Sequence, residues 1–276
     1  MTQNSYRIKR GCLHNLRVTA SNPASQDVVP EGLVLPEEMM AAADFAPYEQ
    51  VIVTKIGGSN WVNRMYTFVL PGTGDEVEAR GSIAHLLGPG DVCCMIAGSY
   101  LDQAQYDRYV GDGYDVPTID VRLYPEEETV NDLSKAKTVL EYGADTQRVE
   151  TLSPAVVERR RALPRVVLSN LLSGLRIEEV ERRGCIEMSA ELPIEYMRRA
   201  GFCPNQSIFV YNASRGGTSA ESYVVPSLTK RTVGISGALS AVADIGDIVS
   251  EAAYVTNTDG LTPTICNLHH EPALAR

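Results

Sequence analysis

Cysteine, histidine and arginine are the side chains here best suited to chemistry, and their spacing sets narrow limits on what that chemistry is. Six cysteines (Cys12, Cys93, Cys94, Cys185, Cys203, Cys266) are scattered without a Cys-x-x-Cys pair, and the chain has only four histidines. Zinc sites read from sequence need closely spaced thiolate and imidazole ligands, so no metal is expected. His269-His270 offers too few ligands by itself. Cys93-Cys94 falls inside an apolar run, Gly90 to Leu101, that reads as a buried strand where cysteine is a small inert hydrophobe. His14 reads as an isolated strand histidine, and His85 as part of a loop-like helix. The run Glu158-Arg159-Arg160-Arg161 reads as a solvated linker face. Ser189 precedes a proline-led helix, where a serine either caps backbone amides or reacts. Tyr223 lies in an alternating segment where tyrosine packs well, and Arg64 follows a turn.

Composition narrows the partners. The chain has 276 residues, 44% of them hydrophobic, and 25 Lys+Arg against 35 Asp+Glu give a net charge of −10. The isoelectric point is about 5.0 and the mean hydropathy −0.12. Such a field attracts neither nucleic-acid phosphates nor anionic lipid. The sequence contains no apolar run of the roughly 20 residues that a spanning helix needs, and the start, Met1 to Gly11, lacks a signal-peptide core. A cytoplasmic protein with a small-molecule substrate, without nucleic acid or membrane partner, is expected.

The elements that must position these residues are organised by an internal repeat. Pro36 to Phe45 (PEEMMAAADF) recurs as Pro193 to Phe202 (PIEYMRRAGF), an offset of 193 − 36 = 157. Each reads as a short helix opened by proline. Alternating strands follow, Gln50–Thr54 and Ser207–Tyr211, each running into a Gly-Gly turn at 57–58 and 216–217. Thr67–Pro71 then matches Ser222–Pro226, and Gly81–Ala84 matches Gly237–Ser240. Gly90-Asp91-Val92 matches Gly246-Asp247-Ile248, and Pro117-Thr118-Ile119 matches Pro263-Thr264-Ile265. Short strands with one short helix per unit predict two small closed barrels in a mainly β chain. The expected boundaries are 1–133 for the first barrel, 134–165 for a charged, partly helical linker, and 166–276 for the second barrel.

Gly11-Cys12-Leu13-His14-Asn15-Leu16-Arg17-Val18-Thr19, then PEEMMAAADF, Arg64-Met65-Tyr66-Thr67-Phe68 and Gly81 to Val92, resemble the aspartate alpha-decarboxylase family, and the likeness extends over nearly all of both repeats. The resemblance implies a double-psi β-barrel in each unit, decarboxylation of aspartate, and a pyruvoyl cofactor made from a serine of the chain. It implies an active site between neighbouring barrels, with two chains forming a homodimer that rebuilds a four-barrel ring. The self-cleaving position then falls on Met188-Ser189 in the second unit and on Gly32 in the first, so only the second can make the cofactor. Gly184-Cys185 is the alternative cleavage point.

The remaining family positions divide between the units. The proton-delivering tyrosine matches Tyr223, against Phe68 in unit one, and the neighbouring hydroxyl matches Ser222 and Thr67. The family's asparagine near the cofactor becomes Ser236, against Arg80. The carboxylate-clamping arginine matches Arg64, against Ser219, and the first-strand histidine matches His14, against Leu175. The resemblance thus implies that unit two keeps the cofactor half and unit one the substrate half. The family's first-strand lysine is replaced by Cys12 and Ser173. Arg10, Cys12 and His14 would share one face of a regular strand, so Arg10 is expected to supply the missing cation. Two other functions fit the residues: an unprocessed barrel enzyme acting on a small carboxylic or polyketide-like metabolite in the same cleft, and a non-catalytic binding module.

Overall fold

Strand-forming Val, Ile, Leu and Tyr, interrupted by Gly, Pro and Asp, dominate both halves, and short strands are what they build. The computed structural model describes residues 6–23, 31–57, 64–111, 118–123, 131–142, 145–148, 153–182, 188–215, 218–227, 232–257 and 261–268. The first unit contains β1 (Tyr6–Arg17), β2 (Ala20–Asn22), β3 (Gly32–Pro36), α1 (Glu37–Ala43), β4 (Gln50–Ile56), β5 (Arg64–Gly72), β6 (Glu78–Arg80), a 3-10 turn (Gly81–His85), β7 (Val92–Leu101), α2 (Gln103–Gly111) and β8 (Thr118–Arg122). Then come β9 (Lys137–Tyr142), β10 (Asp145–Arg148) and α3 (Pro154–Arg161). The second unit contains β11 (Arg165–Arg176), β12 (Glu179–Glu181), β13 (Ser189–Pro193), α4 (Ile194–Ala200), β14 (Ser207–Asn212), β15 (Thr218–Ser227), β16 (Gly234–Ser236), a 3-10 turn (Gly237–Ala241), β17 (Ile248–Asn257) and β18 (Thr264–Asn267).

The repeat is visible in the topology. The first sheet runs β10-β9-β8-β1-β7-β4-β5-β3-β6-β2, and the second runs β12-β16-β13-β15-β14-β17-β11-β18. Read from the opposite end, the second sheet has the strand order of the first without β9 and β10. The molecule is mainly β, with two large sheets. Both short helices start straight after a proline and end in a left-handed residue, Asp44 in α1 and Gly201 in α4. Among the described residues no helix is long and apolar enough to cross a membrane.

The segment expected as a charged linker is built differently. β9 pairs antiparallel with β8, and β10 with β9, so residues 137–148 extend the first sheet. Among the described residues of this segment α3 is the α-helix, with Ser153 capping it through the Val156 amide. Arg160 of the supposedly solvated run is 1% exposed. Its Nε donates to Asp44 Oδ2 at 2.8 Å, and its Nη1 to the Arg10 carbonyl at 2.6 Å.

Asp44 is the hub of that buried network. Arg10 Nη1 (2.6 Å), Arg160 Nε and Arg165 Nη2 (2.7 Å) all reach its carboxylate, while Glu49 takes Arg10 and Arg165. Burial alone would raise the Asp44 pKa, but the surrounding charges of Arg10, Arg165 and Arg160 outweigh it and hold the carboxyl below its usual range. Arg165 opens β11, so this cluster fastens the first unit to the second. Beside it, Glu49 bridges Val167, and the Leu168 amide donates to the Tyr48 carbonyl at 2.9 Å. The first hydrophobic core continues across this boundary through Leu168, Leu171, Tyr211 and Ala252.

Candidate functional site

Three strands of the second unit converge on Met188-Ser189. β13 runs parallel to β15 with Ser189 opposite Tyr223, and antiparallel to β16 with Ser189 opposite Ser236. Side chains opposite one another on adjacent strands are close enough to bond. Ser189 Oγ lies 2.6 Å from Ser236 Oγ, and Ser222 Oγ donates to the Met188 carbonyl oxygen at 3.0 Å. That carbonyl belongs to the peptide bond that Ser189 would attack. Ser222 is buried, at 1% exposure, whereas Tyr223 is 54% exposed. One hydroxyl thus polarises the carbonyl while another contacts the nucleophile, and the tyrosine side chain reaches the surface.

The same strands in unit one carry none of this. Gly32 sits opposite Arg80, as Ser189 sits opposite Ser236. It adopts φ +139°, and a Cβ there would approach the Phe68 carbonyl oxygen to 2.8 Å. Arg80 is tied to Glu78 at 2.5 Å. Thr67 is buried opposite Val51. Glu31, which precedes Gly32 as Met188 precedes Ser189, is buried and accepts the Ser82 amide at 3.1 Å. Burial pushes its carboxyl up to about 7, against the pull of hydrogen bonds from Ser82 and from Ser250 of the second unit. Unit one therefore turns this edge toward unit two. His85 Nε2 also meets the Ala213 carbonyl there at 2.6 Å.

Of the residues expected to hold substrate, Arg10, Cys12 and His14 lie on β1 of unit one, Arg64 and Thr67 on β5, and Ser236 on β16 of unit two, with one correction. The β1–β7 register shifts between Lys9 and Gly11, and a bulge of that kind breaks the regular alternation of side chains. Arg10 consequently does not share a face with Cys12 and His14. It is fully buried in the Asp44–Glu49 network, where it cannot supply a substrate-binding cation. Lys9 is the cation on the other side, 3.1 Å from Asp120.

β8 runs parallel to β1 with Asp120 beside Cys12. His14 Nε2 lies 3.3 Å from Asp120 Oδ2, His14 Nδ1 lies 3.5 Å from Cys94 Sγ, and Cys94 Sγ lies 3.3 Å from Cys12 Sγ. The Asp120 hydrogen bond, then that of Cys94, lifts His14 to about 9. Hydrogen bonds from Cys12 and from His14 hold the Cys94 thiol below the usual thiol range, and the Cys12 thiol is pushed above it. Cys93 is the buried, inert thiol the apolar run implied, its pKa raised to about 12 by burial. Cys94, one residue on, points to the other face and is half-buried beside Cys12 and His14. Cys94 and Asp120 carry no local spacing signal, because three separate strands bring them to His14.

Arg64 opens β5 on the exposed side of unit one, its guanidinium carbon 5.7 Å from the Tyr66 ring centroid. Among the described residues, no hydrogen bond or ion pair joins Arg64, His14 or Cys12 to Ser189, Ser222, Tyr223 or Ser236. Gly184-Cys185 and His269-His270 lie outside the described residues, and Ser219 is half-buried on β15 opposite Tyr211.

A mainly β chain of two like units, with a hydroxyl cluster at the start of one short strand, is the class that fold and site define. The family model for aspartate decarboxylase matches residues 6–112. The aspartate 1-decarboxylase of Salinibacter ruber (strain DSM 13855 / M31) is 34% identical over 99 residues, covering 35% of this chain and 62% of that protein. The aspartate 1-decarboxylase of Hydrogenobaculum sp. (strain Y04AAS1) is 28% identical over 95 residues, covering 34% of this chain and 69% of that protein. Through its first repeat the chain is similar to the aspartate decarboxylase family. The chain spans less than two thirds of the length of the Salinibacter protein, and the family model falls within the first repeat.

Proposed function

We propose that the protein is a pyruvoyl-dependent α-decarboxylase of aspartate or a related amino acid, built from two double-psi β-barrels and self-processed at Met188-Ser189. The observation that carries this reading is the Ser222 hydrogen bond to the Met188 carbonyl, with Ser189 Oγ held by Ser236. Ser189 Oγ attacks the Met188 carbonyl carbon, Ser222 steadies the oxyanion, and the hydroxyl proton is relayed through Ser236 to the peptide nitrogen. The peptide nitrogen then leaves, giving an ester. Elimination of the ester releases Met188 as a carboxylate, and hydrolysis of the remaining dehydroalanine yields the pyruvoyl group and ammonia.

The residues present suit that group, since Ser189 has a β-oxygen to lose and neighbours that activate it. Once formed, the pyruvoyl carbonyl supplies an electron sink for loss of CO2 from an amine substrate. Tyr223, exposed beside position 189, delivers a proton to the substrate carbon. Arg64 clamps a substrate carboxylate, with His14 and Thr67 on the same unit.

The substrate half and the cofactor half come from different chains. Within the chain, unit one meets unit two through Glu31 and His85, beside Gly32 where the cofactor serine is replaced, as well as through the Asp44–Glu49 cluster and the Tyr66–Phe209 ring pair. Arg64 and Tyr223 both remain exposed. A homodimer closing a four-barrel ring joins Tyr223 of one chain to Arg64 of the other. Release of CO2 from aspartate by purified protein, abolished in Ser189→Ala, tests the reading; turnover that survives Ser189→Ala would overturn it.

A further inference from the structure

We propose that Cys12, Cys94 and His14 form a binding site for a zinc-class divalent cation, with a fourth coordination position open to water or to a carboxylate oxygen. The three donor atoms, two Sγ and one imidazole nitrogen, all lie within 4.8 Å of one another. A tetrahedral zinc with bonds of about 2.3 Å to sulfur and about 2.0 Å to nitrogen holds its donors roughly 3.5–3.8 Å apart. Cys94 Sγ and His14 Nδ1 are 3.5 Å apart, and the two sulfurs, at 3.3 Å, need open by only a few tenths of an ångström.

The second observation is Asp120. Its carboxylate is 2% exposed and lies 3.3 Å from His14 Nε2, the nitrogen that faces away from the sulfurs. A carboxylate holding the far nitrogen of a histidine is the arrangement that fixes the tautomer and orientation of a metal-bound imidazole. Two thiolates and an imidazole select zinc-class ions over magnesium, calcium or manganese. Binding displaces the protons held by the donor atoms to solvent, and the two thiolate charges balance the cation. Cys12 is buried, whereas the His14 side chain is 32% exposed, which leaves the open position on the solvent side. The bulge at Arg10 contributes by turning that cation away from the cluster. The site goes beyond the decarboxylase reading and needs no processing at Ser189, so either can fail without the other.

The test loads the full chain with zinc or cobalt(II), dialyses it, and measures bound metal together with the visible spectrum of the cobalt form. One equivalent per chain, with thiolate-to-cobalt charge-transfer bands, is expected. The bands should vanish in Cys12→Ser and in Cys94→Ser, and persist in Cys203→Ser, which removes an exposed thiol. Asp120→Asn should keep the bands while lowering affinity about 10- to 100-fold. Wild-type protein without stoichiometric metal or charge-transfer bands would overturn the proposal, as would bands that survive Cys94→Ser. Formation of a Cys12–Cys94 disulfide by freshly reduced protein in excess zinc would also overturn it.

Discussion

Ser222 supports the proposed cleavage at Met188-Ser189 over a serine that only caps backbone amides. A capping serine bonds backbone amides, but here the neighbouring hydroxyl donates to the carbonyl that precedes Ser189. Removing one hydrogen bond of this kind from an acyl-transfer centre costs about 10²-fold or more in rate. Ser222→Ala should therefore slow conversion of the full chain to fragments by about 10²-fold, followed by denaturing electrophoresis, and unchanged kinetics would rule out its role. Gly32 gives the reverse test. Replacing it with serine restores the hydroxyl but places a Cβ at φ +139° against the Phe68 carbonyl. Gly32→Ser should lose about 1–3 kcal/mol of stability in a denaturant titration and gain no second cleavage site.

Ser189, Tyr223 and Ser236 were legible in the sequence because each sits at a fixed step from a repeat landmark, and strand register preserves those steps. The bulge at Arg10 was not legible, since a period-2 argument assumes an unbroken ladder. The contact of Cys94 and Asp120 with His14 was equally hidden, being made across strands far apart in the chain.

At the scale of elements, the left-handed end of α1 carries unusual responsibility. Asp44 ends that helix and gathers arginines from β1, α3 and β11. Removing one member of a buried ion network leaves its partners uncompensated, at about 3–5 kcal/mol. Asp44→Ala should lower stability by that amount in chemical denaturation, and a loss under about 1 kcal/mol would show the network to be incidental. Because the Asp44 pKa is depressed in the folded state, its contribution is present above the ordinary carboxylate value of 3.8 and is lost as pH falls through the folded pKa. Glu251 works in the opposite sense. Burial raises it from 4.5 to about 8, and among the described residues neither carboxyl oxygen has a hydrogen-bond partner. Its contribution is complete below 4.5 and is lost as pH rises through about 8. Stability measured against pH should fall on both the acid and the alkaline side; Glu251→Gln should flatten the alkaline fall.

Helix α1, β4, β7 and their repeats were readable from proline placement and alternation. β9, β10 and the burial of Arg160 were not, because charge-rich composition describes a segment's surface and not the partner strand that receives it.

At the scale of the molecule, complementary loss is the organising feature. Unit two carries the serine cluster and unit one carries Arg64 and His14, while the contacts inside the chain include the edge of unit one at His85 and Glu31, the Asp44–Glu49 cluster and the Tyr66–Phe209 ring pair. The proposed head-to-tail ring of two chains would draw the cofactor half of each site from one chain and the substrate half from the other. Co-expressing Tyr223→Phe with Arg64→Ala should then restore activity, because each mixed dimer contains one site free of both substitutions. Sites contained within one chain would give no recovery.

Self-processing at Met188-Ser189 is the central claim, and intact mass under denaturing conditions tests it most directly. Purified protein treated with borohydride should appear as two fragments, Met1–Met188 and an 88-residue piece (276 − 188) blocked at position 189 and shifted in mass by the reduced carbonyl. A single uncleaved 30.1 kDa chain in a preparation that turns over substrate would contradict it.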